Sequence, residues 1–205
     1  MNRKFITLEG LEGAGKSTQT AEIADYLRGK GLEVYITQEP GGTQLGEKIR
    51  QWLLDPEHRI SEMTELLLFY AARVQHIEQQ IKPALQEGRW VVCDRFIDSS
   101  YAYQGGGRGI PLDYIEKLNR LSVSITPDLT LLLDIKPKHI WQRIDIDNRD
   151  RFERENTAFF QRVRNSYLQC AGDNPERIRI IDAEQSIAQV AQTIIEQLEP
   201  LIEAP

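Results

Sequence analysis

The feature that most constrains this chain is a glycine-rich segment, GLEGAGKS, at residues 10–17. It fits the pattern G-x-x-x-x-G-K-[ST], and it stands between a strand-like run at 3–9 and a helical pattern that ends near Gly29. Glycines let consecutive backbone N–H groups point inward, and the N-terminus of the following helix adds positive potential. The segment therefore predicts a strand, a phosphate-binding loop and a helix in direct succession.

The motif assigns candidate roles to the residues within and around it. Lys16 is expected to reach the β and γ phosphates of a nucleoside triphosphate, and the Ser17 hydroxyl is expected to join a Mg²⁺ shell. The candidate residues of this triphosphate site are Gly10, Leu11, Glu12, Gly13, Ala14, Gly15, Lys16, Ser17 and Thr18. Asp94, at the end of an apolar strand-like run, is the natural carboxylate for the Mg²⁺ through water, with Asp134 as a weaker rival.

The rest of the chain alternates between strand-like and helical patterns. Strands are predicted at residues 3–9, 33–37, 90–93, 129–133 and 177–181. Helices are predicted at 44–54, from Ser61 toward Gly88, at 112–124, at 153–171 and from 187 onward, whereas the segment QGGGRG at 104–109 is predicted to be a loop.

Continuous apolar strands that alternate with helices are typical of a parallel sheet covered on both faces. The sequence therefore predicts an α/β domain of the P-loop NTPase fold, with about five parallel strands between two layers of helices. In such a fold, ligands bind at the carboxyl ends of the strands.

The composition excludes several other classes of protein. The 205 residues, 40% of them apolar and 27% charged, fit a single domain over 1–205. A net charge of −6 argues against a protein that coats nucleic acid. The longest apolar runs are too short to cross a bilayer, and the chain opens directly into a strand, so a cytoplasmic protein with no membrane partner is expected. Cys93 and Cys170 match neither a disulfide framework nor metal-ligand spacing.

A phosphate-binding loop by itself leaves GTPases, DNA-handling ATPases and small kinases open. The sequence contains neither N-K-x-D, which reads guanine, nor D-x-x-G, and its charge provides no basic track for nucleic acid. Arginines favour a kinase with an anionic acceptor. Arg73, Arg95 and Arg108 follow elements that should open on the same strand ends, and further arginines crowd residues 143–154.

Six blocks together resemble the bacterial thymidylate kinases, in order and at the expected intervals. They are FITLEGLEGAGKST (5–18), EPGGTQLG (39–46), LLFYAAR (67–73), DR (94–95), SSYAYQGGGRG (99–109) and PDLTLLLD (127–134). The resemblance covers nearly the whole chain and implies Mg²⁺-dependent transfer of a phosphoryl group from ATP to thymidine monophosphate (dTMP). A kinase of another pyrimidine nucleotide or of a deoxynucleoside remains the alternative, and a regulator with a decayed kinase site is a more distant one.

The resemblance also implies residues that bind the acceptor. Phe69 and Arg73 are four apart and share a helix face; by resemblance, Phe69 stacks on thymine and Arg73 holds the base or phosphate end. Arg95 is expected to bind the acceptor phosphate as a planar fork. The remaining candidates are Glu39 and Pro40, whose peptide bond is expected to be cis and to shape the pocket, Ser99, Ser100, Tyr103 and Gln104 for the base and sugar, and Arg108 for a phosphate.

Residues 143–154 resemble the mobile lid of that family. Glu12 stands in the phosphate-binding loop where some relatives carry a basic residue, so the cation that stabilises the transition state is expected from the lid. Arg151 is the first choice, followed by Arg149 and Arg143, and the predicted catalytic set is Lys16, Asp94, Arg95 and Arg151. A homodimer is implied by resemblance, with the helices from Ser61 and from Leu112 as possible contact surfaces.

Overall fold

Five parallel strands form one sheet, as the sequence predicts. The computed structural model describes residues 3–143 and 149–203. The strands are β1 (Phe5–Gly10), β2 (Val34–Gln38), β3 (Trp90–Asp94), β4 (Leu129–Asp134) and β5 (Ile178–Asp182). Their order in the sheet is β2-β3-β1-β4-β5, so β1, which carries the glycine-rich segment at its end, lies in the centre.

Eight α-helices and three tighter or wider helical turns lie within the described residues. The α-helices are α1 (Lys16–Gly29), α2 (Gln44–Leu54), α3 (Glu62–His76), α4 (Lys82–Gln86), α5 (Ile97–Ser100), α6 (Leu112–Ser122), α7 (Thr157–Asp173) and α8 (Ile187–Glu203). A π-helical turn (Ile77–Ile81) joins α3 to α4, a second one (Tyr101–Gly107) follows α5, and a 3₁₀ turn covers Pro137–Gln142.

Side-chain caps explain where several of these helices begin. The Ser61 hydroxyl accepts a hydrogen bond from the Thr64 N–H, which confirms the predicted start of the long helical segment. Pro83 lies in the first turn of α4, next to the point where the π-helical turn ends. The predicted start of α7 at residue 153 is wrong, because Asn156 caps the helix and accepts from the Phe159 N–H.

Helices cover both faces of the sheet, which confirms the three-layer prediction. Ile23 and Leu27 of α1 belong to one core cluster with Val92 of β3. Ile77, the first residue of the π-helical turn after α3, belongs to a second cluster with Val91 of the same strand. Because the successive residues Val91 and Val92 point to opposite faces, α1 and Ile77 pack on opposite sides of the sheet.

The predicted loop at 104–109 is wrong, since residues 101–107 form the second π-helical turn. Two glycines of this turn serve to let α7 pack closely against it, and they do not serve to reverse the chain direction. A Cβ on Gly106 would lie 2.6 Å from the Cβ of Ser166, and a Cβ on Gly107 would lie 2.6 Å from Phe159 Cε2. Sequence reasoning treated these glycines as turn residues, whereas they are packing residues.

The described helices include none that is long and apolar enough to cross a membrane. The expected cytoplasmic location stays a prediction.

Gly106→Ala is expected to destabilise the fold by about 1–3 kcal/mol, because the added methyl group overlaps the Ser166 side chain and approaches the α7 backbone at Arg162. Urea unfolding monitored by circular dichroism measures the change in the free energy of unfolding. The matched control is Gly172→Ala within α7, where a Cβ would meet no atom within 4 Å. This control is expected to be neutral or to gain up to about 1 kcal/mol, and equal stability of the two variants would contradict the packing role.

Candidate active site

The carboxyl ends of β1, β2 and β3 bring the candidate residues to one edge of the sheet. Asp94 at the end of β3 is in register with Leu8 of β1 and with Gln38 of β2. Two backbone hydrogen bonds continue this pairing, from Arg95 N to Leu8 O at 2.9 Å and from Glu39 N to Asp94 O at 2.9 Å. The glycine-rich loop, the Glu39–Pro40 turn and the Asp94–Arg95 pair therefore meet at the same place.

The glycine-rich segment forms the curled loop that its sequence predicts. Gly10, Gly13 and Gly15 have positive φ angles of 141°, 70° and 93°. Lys16 folds over the loop, and its Nζ donates to the Leu11 carbonyl oxygen at 3.0 Å. Burial lowers the pKa of Lys16, and the nearby Arg95 lowers it further. A cation held above backbone N–H groups at a helix N-terminus is suited to an anionic phosphate chain.

Asp94 and Ser17 fit the role of magnesium ligands. Ser17 Oγ donates to Asp94 Oδ2 at 3.2 Å, and Asp94 Oδ1 is buried without a hydrogen-bond partner among the described residues. The rival Asp134 is held by Arg164 in a two-pronged ion pair of 2.7 Å on each oxygen. No cluster of three or more histidine, cysteine or acidic side chains that could hold a metal ion occurs in residues 3–143 and 149–203.

Two pockets share a wall at this edge of the sheet. The P-loop pocket is lined by Gly13, Lys16, Ser17, Thr18, Asp94 and Arg143, among others, and the inner pocket is lined by Pro40, Phe69, Ser99, Tyr103, Gln104 and Phe152, among others. Four residues line both pockets: Glu12, Glu39, Arg50 and Arg95. A ligand in one pocket can therefore meet a ligand in the other beside two guanidinium groups.

Arg95 lies at the junction of the two pockets in an unusual backbone conformation. Its φ of 70° makes it the one non-glycine residue with positive φ in the described part of the chain. The guanidinium donates to Gly10 O at 2.9 Å and to Glu12 Oε1 at 2.6 Å, and it lies over the Tyr103 ring at 4.9 Å from the centroid. This strained and densely contacted placement is typical of a residue that the surrounding structure holds for function.

Glu12 provides the opposite charge at the same junction. Burial by itself raises the pKa of its carboxyl group, but Arg95 and Lys16 more than offset this, so that the pKa is lowered. Glu12 therefore stays ionised and orients Arg95 at the boundary between the pockets.

Glu9, the residue before the glycine-rich loop, is a fully buried acid. Its carboxylate accepts from the Phe96 N–H at 2.8 Å, from Ser99 Oγ at 2.6 Å and from the Tyr167 hydroxyl at 2.7 Å. Burial raises its pKa to about 7, repulsion by Asp98 adds to the rise, and Arg95 opposes it. Sequence reasoning missed Glu9 because it ends an apolar strand and has no motif of its own.

Phe69 and Arg73 share a helix face, as predicted, but only Phe69 lines the inner pocket. Arg73 is 1% exposed and donates to Glu39 Oε2 at 2.7 Å and to Ser100 Oγ at 3.0 Å. The Glu39–Pro40 peptide bond is cis, as predicted. A hydrogen bond of 3.0 Å also links Glu39 Oε1 to His76 Nδ1. The Glu39 carboxyl group therefore binds two buried side chains, those of Arg73 and His76.

The segment after β3 supplies most of the inner pocket. Ser99, Tyr103 and Gln104 line it, as predicted, whereas Ser100 is buried behind it against Arg73. The Tyr103 hydroxyl donates to Glu12 at 3.2 Å. The predicted base- and sugar-reading residues thus include three that border the cavity and one that supports it.

Arg108, predicted to bind a phosphate, and Arg151, predicted as the cation of the transition state, line neither pocket in this structure, and both roles stay predictions. Arg108 binds Glu65 at 3.2 Å and also pairs with Glu155, and Arg151 binds Glu65 at 2.6 Å and the Leu53 carbonyl oxygen at 2.8 Å. The physical reason is that Glu65 is fully buried, and a buried carboxylate without a cationic partner is costly. Arg151, the first choice for a catalytic cation, therefore does not reach the P-loop pocket.

The other two lid arginines differ in their placement. Arg143 lines the P-loop pocket and donates to the Gly13 carbonyl oxygen at 3.2 Å. Arg149 packs on Trp141, with its guanidinium carbon 4.8 Å from the ring centroid. Residues 144–148 of the predicted lid lie outside the described residues. Of the three candidate cations, Arg143 is thus the one beside the phosphate-binding loop.

Sequence reasoning missed several residues of the site. Arg50 lines both pockets and donates to the Pro40 carbonyl oxygen at 2.8 Å. The sequence signal that could have identified Arg50 is its position one turn after Gly46, on the helix that follows the EPGG turn. Asp150 and Phe152 close the inner pocket. A further pocket beside Gly13 and Arg143 is lined by Ala183 and Gln185 from the loop after β5 and by Ile187 and Val190 from α8.

The fold and the site define a P-loop nucleotide-binding protein with a second pocket beside the phosphate-binding loop. A protein-family model described as thymidylate kinase matches residues 8–194. A thymidylate kinase of Nitrosomonas eutropha is 48% identical over 198 residues, with 96% of this chain and 92% of the relative covered. A thymidylate kinase of Chromohalobacter salexigens is 50% identical over 200 residues, with 95% and 94% covered.

A solved structure gives the same result. The crystal structure of thymidylate kinase from Ehrlichia chaffeensis has a TM-score of 0.80 to this chain at 36% identity, and it covers 96% of this chain and 98% of its own. The chain belongs to the thymidylate kinase family. The resemblance drawn from the six sequence blocks is confirmed, and so are the fold class and the prediction of a kinase.

Glu9→Gln tests the buried acid through the pH dependence of stability. The folded protein keeps the proton on Glu9 up to about pH 7, whereas the unfolded chain releases it near the ordinary pKa of 4.5. The folded state therefore binds more protons between these values, and the stability that protonated Glu9 contributes is lost as the pH rises through this range. Wild-type stability relative to Glu9→Gln is expected to be lower at about pH 8 than at about pH 5, as measured by urea unfolding.

The exposed Glu22→Gln on α1 is the control, and its difference from wild type should be the same at both pH values. If the difference in free energy of unfolding between wild type and Glu9→Gln does not change with pH, burial does not raise the pKa of Glu9.

Proposed function

We propose that this protein transfers the γ-phosphoryl group of ATP to dTMP, with the triphosphate in the P-loop pocket and the monophosphate in the inner pocket. The observation that carries the proposal is Arg95, which lies at the junction of both pockets with its guanidinium fixed by Glu12 and Gly10. Two substrates that each carry negative charge need such a cation where their phosphates meet.

The P-loop pocket suits the donor. The loop N–H groups and the N-terminus of α1 hold the phosphate chain, and Lys16 neutralises charge at the end that is transferred. The pocket of Ala183, Gln185, Ile187 and Val190 continues from Gly13 and offers an apolar surface to the adenine ring.

The acceptor needs positioning more than activation. Because the second pKa of a phosphate monoester is near 6, the attacking oxygen is mostly deprotonated at neutral pH and needs no general base. Arg95 and Arg50 are placed to bind this phosphate and to hold it in line with the donor. Phe69 offers an aromatic face to the base, Tyr103 crowds the sugar, and Gln104 offers a polar group to the base edge.

Ser17 and Asp94 are the residues that would hold Mg²⁺, Asp94 through water. When bound, the ion would neutralise the negative charge that develops on the phosphate oxygens. The partnerless Oδ1 of Asp94 supports this assignment. Arg143, beside Gly13, is the lid residue best placed to add a positive charge at the donor phosphates.

We also propose that the chain acts as one domain in a homodimer. All five described strands belong to one sheet, which supports a single domain. Exposed apolar side chains concentrate on α3 and α6, the two helices that the sequence suggests as contact surfaces. They are Met63, Leu67, Leu112, Tyr114 and Leu121, and burying such a patch against a second copy would remove apolar area from water.

A coupled ADP-release assay with a panel of nucleoside monophosphates and deoxynucleosides tests the function. Thymidine monophosphate should be the best acceptor, and turnover should disappear when a chelator removes the magnesium. Lys16→Ala is expected to lower kcat by about a hundredfold or more, because a charge that stabilises the transition state is lost. Lys48→Ala, an exposed lysine on α2, is the matched control and should retain wild-type turnover. Turnover with a deoxynucleoside but not with dTMP would contradict the proposal.

Leu67→Glu tests the dimer. Leu67 is 50% exposed on α3, and a carboxylate in a buried interface would be desolvated, so the variant should be monomeric in sedimentation velocity while wild type is dimeric. Ile180→Glu is the control, since Ile180 is 53% exposed on the edge strand β5. A dimeric Leu67→Glu protein, or a monomeric wild type, would contradict the proposed interface.

A further inference from the structure

Glu65 is a fully buried carboxylate that borders the inner pocket without lining it. It lies on α3, and it accepts a hydrogen bond from Gln104 Nε2 at 2.8 Å. Arg108 and Arg151 bind the same carboxylate at 3.2 Å and 2.6 Å. Three side chains from two separate segments of the chain therefore converge on one acidic group.

The bond between Glu65 and Gln104 determines which way the Gln104 amide points. An ionised carboxylate can only accept hydrogen bonds, so the amide group facing it must be the NH₂ and not the oxygen. Gln104 lines the inner pocket, and among the described residues its amide makes no other hydrogen bond. The Oε1 atom, on the other branch of the amide, is the group left for a ligand.

Two guanidinium groups help to hold this orientation. Each can only donate hydrogen bonds, and each binds the Glu65 carboxylate. Arg151 is itself fixed by Leu53 O at 2.8 Å, and Arg108 lies against the Phe159 ring at 4.8 Å from the centroid. Both arginines therefore oppose a movement of Glu65 that would let the Gln104 amide turn over.

We propose that Glu65 is a positioning residue for base selection, which acts by fixing Gln104 so that an acceptor oxygen faces the base. This inference rests on the proposed function and extends it to the chemical class of acceptor. An acceptor oxygen matches the ring N–H of thymine or uracil, whereas the corresponding nitrogen of cytosine is itself an acceptor. A site that leaves two acceptors facing each other rejects the wrong base because neither is paired.

Glu65→Gln tests the proposal, since a glutamine at 65 can accept or donate and so allows both orientations of Gln104. The readout is kcat/KM for dTMP, dUMP and dCMP. The kcat/KM for dTMP divided by the kcat/KM for dCMP is expected to fall about tenfold, because a second orientation of the Gln104 amide becomes available. Most of this change is expected in the KM values for the two acceptors. The ratio of dTMP to dUMP is expected to stay constant, because both bases carry the ring N–H, and KM for ATP should not change.

Glu155→Gln is the matched control. Glu155 also pairs with Arg108, but within the described residues it makes no hydrogen bond to Gln104. Its variant should therefore keep the wild-type ratio of kcat/KM for dTMP to kcat/KM for dCMP. In a Gln104→Met background, Glu65→Gln should cause no further loss of discrimination, since Glu65 acts through the amide.

Two results would overturn the inference. One is a folded Glu65→Gln protein with an unchanged ratio of kcat/KM for dTMP to kcat/KM for dCMP. The other is an equal fall of this ratio when Glu65→Gln is added to the Gln104→Met variant. If Glu65→Gln does not fold, neutron diffraction of the wild-type complex with dTMP decides, and Gln104 Nε2 facing the base would overturn it. A wild-type enzyme that uses dTMP and dCMP equally would overturn this inference while the proposed function stands. Failure of wild type to use dTMP at all would instead overturn the proposed function.

Discussion

The site depends on the register between β1 and β3. Because Leu8 pairs with Asp94, the phosphate-binding loop that follows β1 and the Asp94–Arg95 pair that follows β3 lie side by side. A shift of one residue would turn each side chain to the other face of the sheet. The strained φ of Arg95 is held by this pairing, since its N–H donates to Leu8 O while its guanidinium reaches back to Gly10 O. Sheet geometry therefore places the Arg95 guanidinium at the junction of the two pockets.

Buried charges around this junction come in compensated groups. Glu12 balances Arg95, Glu39 balances Arg73, and Glu65 balances Arg108 and Arg151. Removing one partner of a buried pair leaves an uncompensated charge, which costs more than an exposed ion pair gains. Such groups keep side chains in one orientation, which suits a site that must align two anionic substrates.

Much of this architecture is readable from the sequence because its signals are local. The glycine pattern at 10–17 specifies the loop, the apolar runs specify the strands, and the Ser61 cap specifies where α3 begins. The features that the sequence does not reveal depend on contacts with distant parts of the chain. Arg151 turns to Glu65, which is 86 positions earlier in the chain, so no local pattern reveals the pair. The glycines at 106 and 107 read as a loop because the helix packed against them lies about 60 residues later.

The central claim is that donor and acceptor phosphates meet between Lys16 and Arg95. A crystal structure with a bisubstrate analogue, in which adenosine and thymidine are joined by a chain of phosphates, tests it most directly. The account predicts that the chain runs from the glycine-rich loop past Arg95, with thymine against Phe69. A phosphate chain that avoids Arg95, or a thymine bound outside the inner pocket, would contradict it.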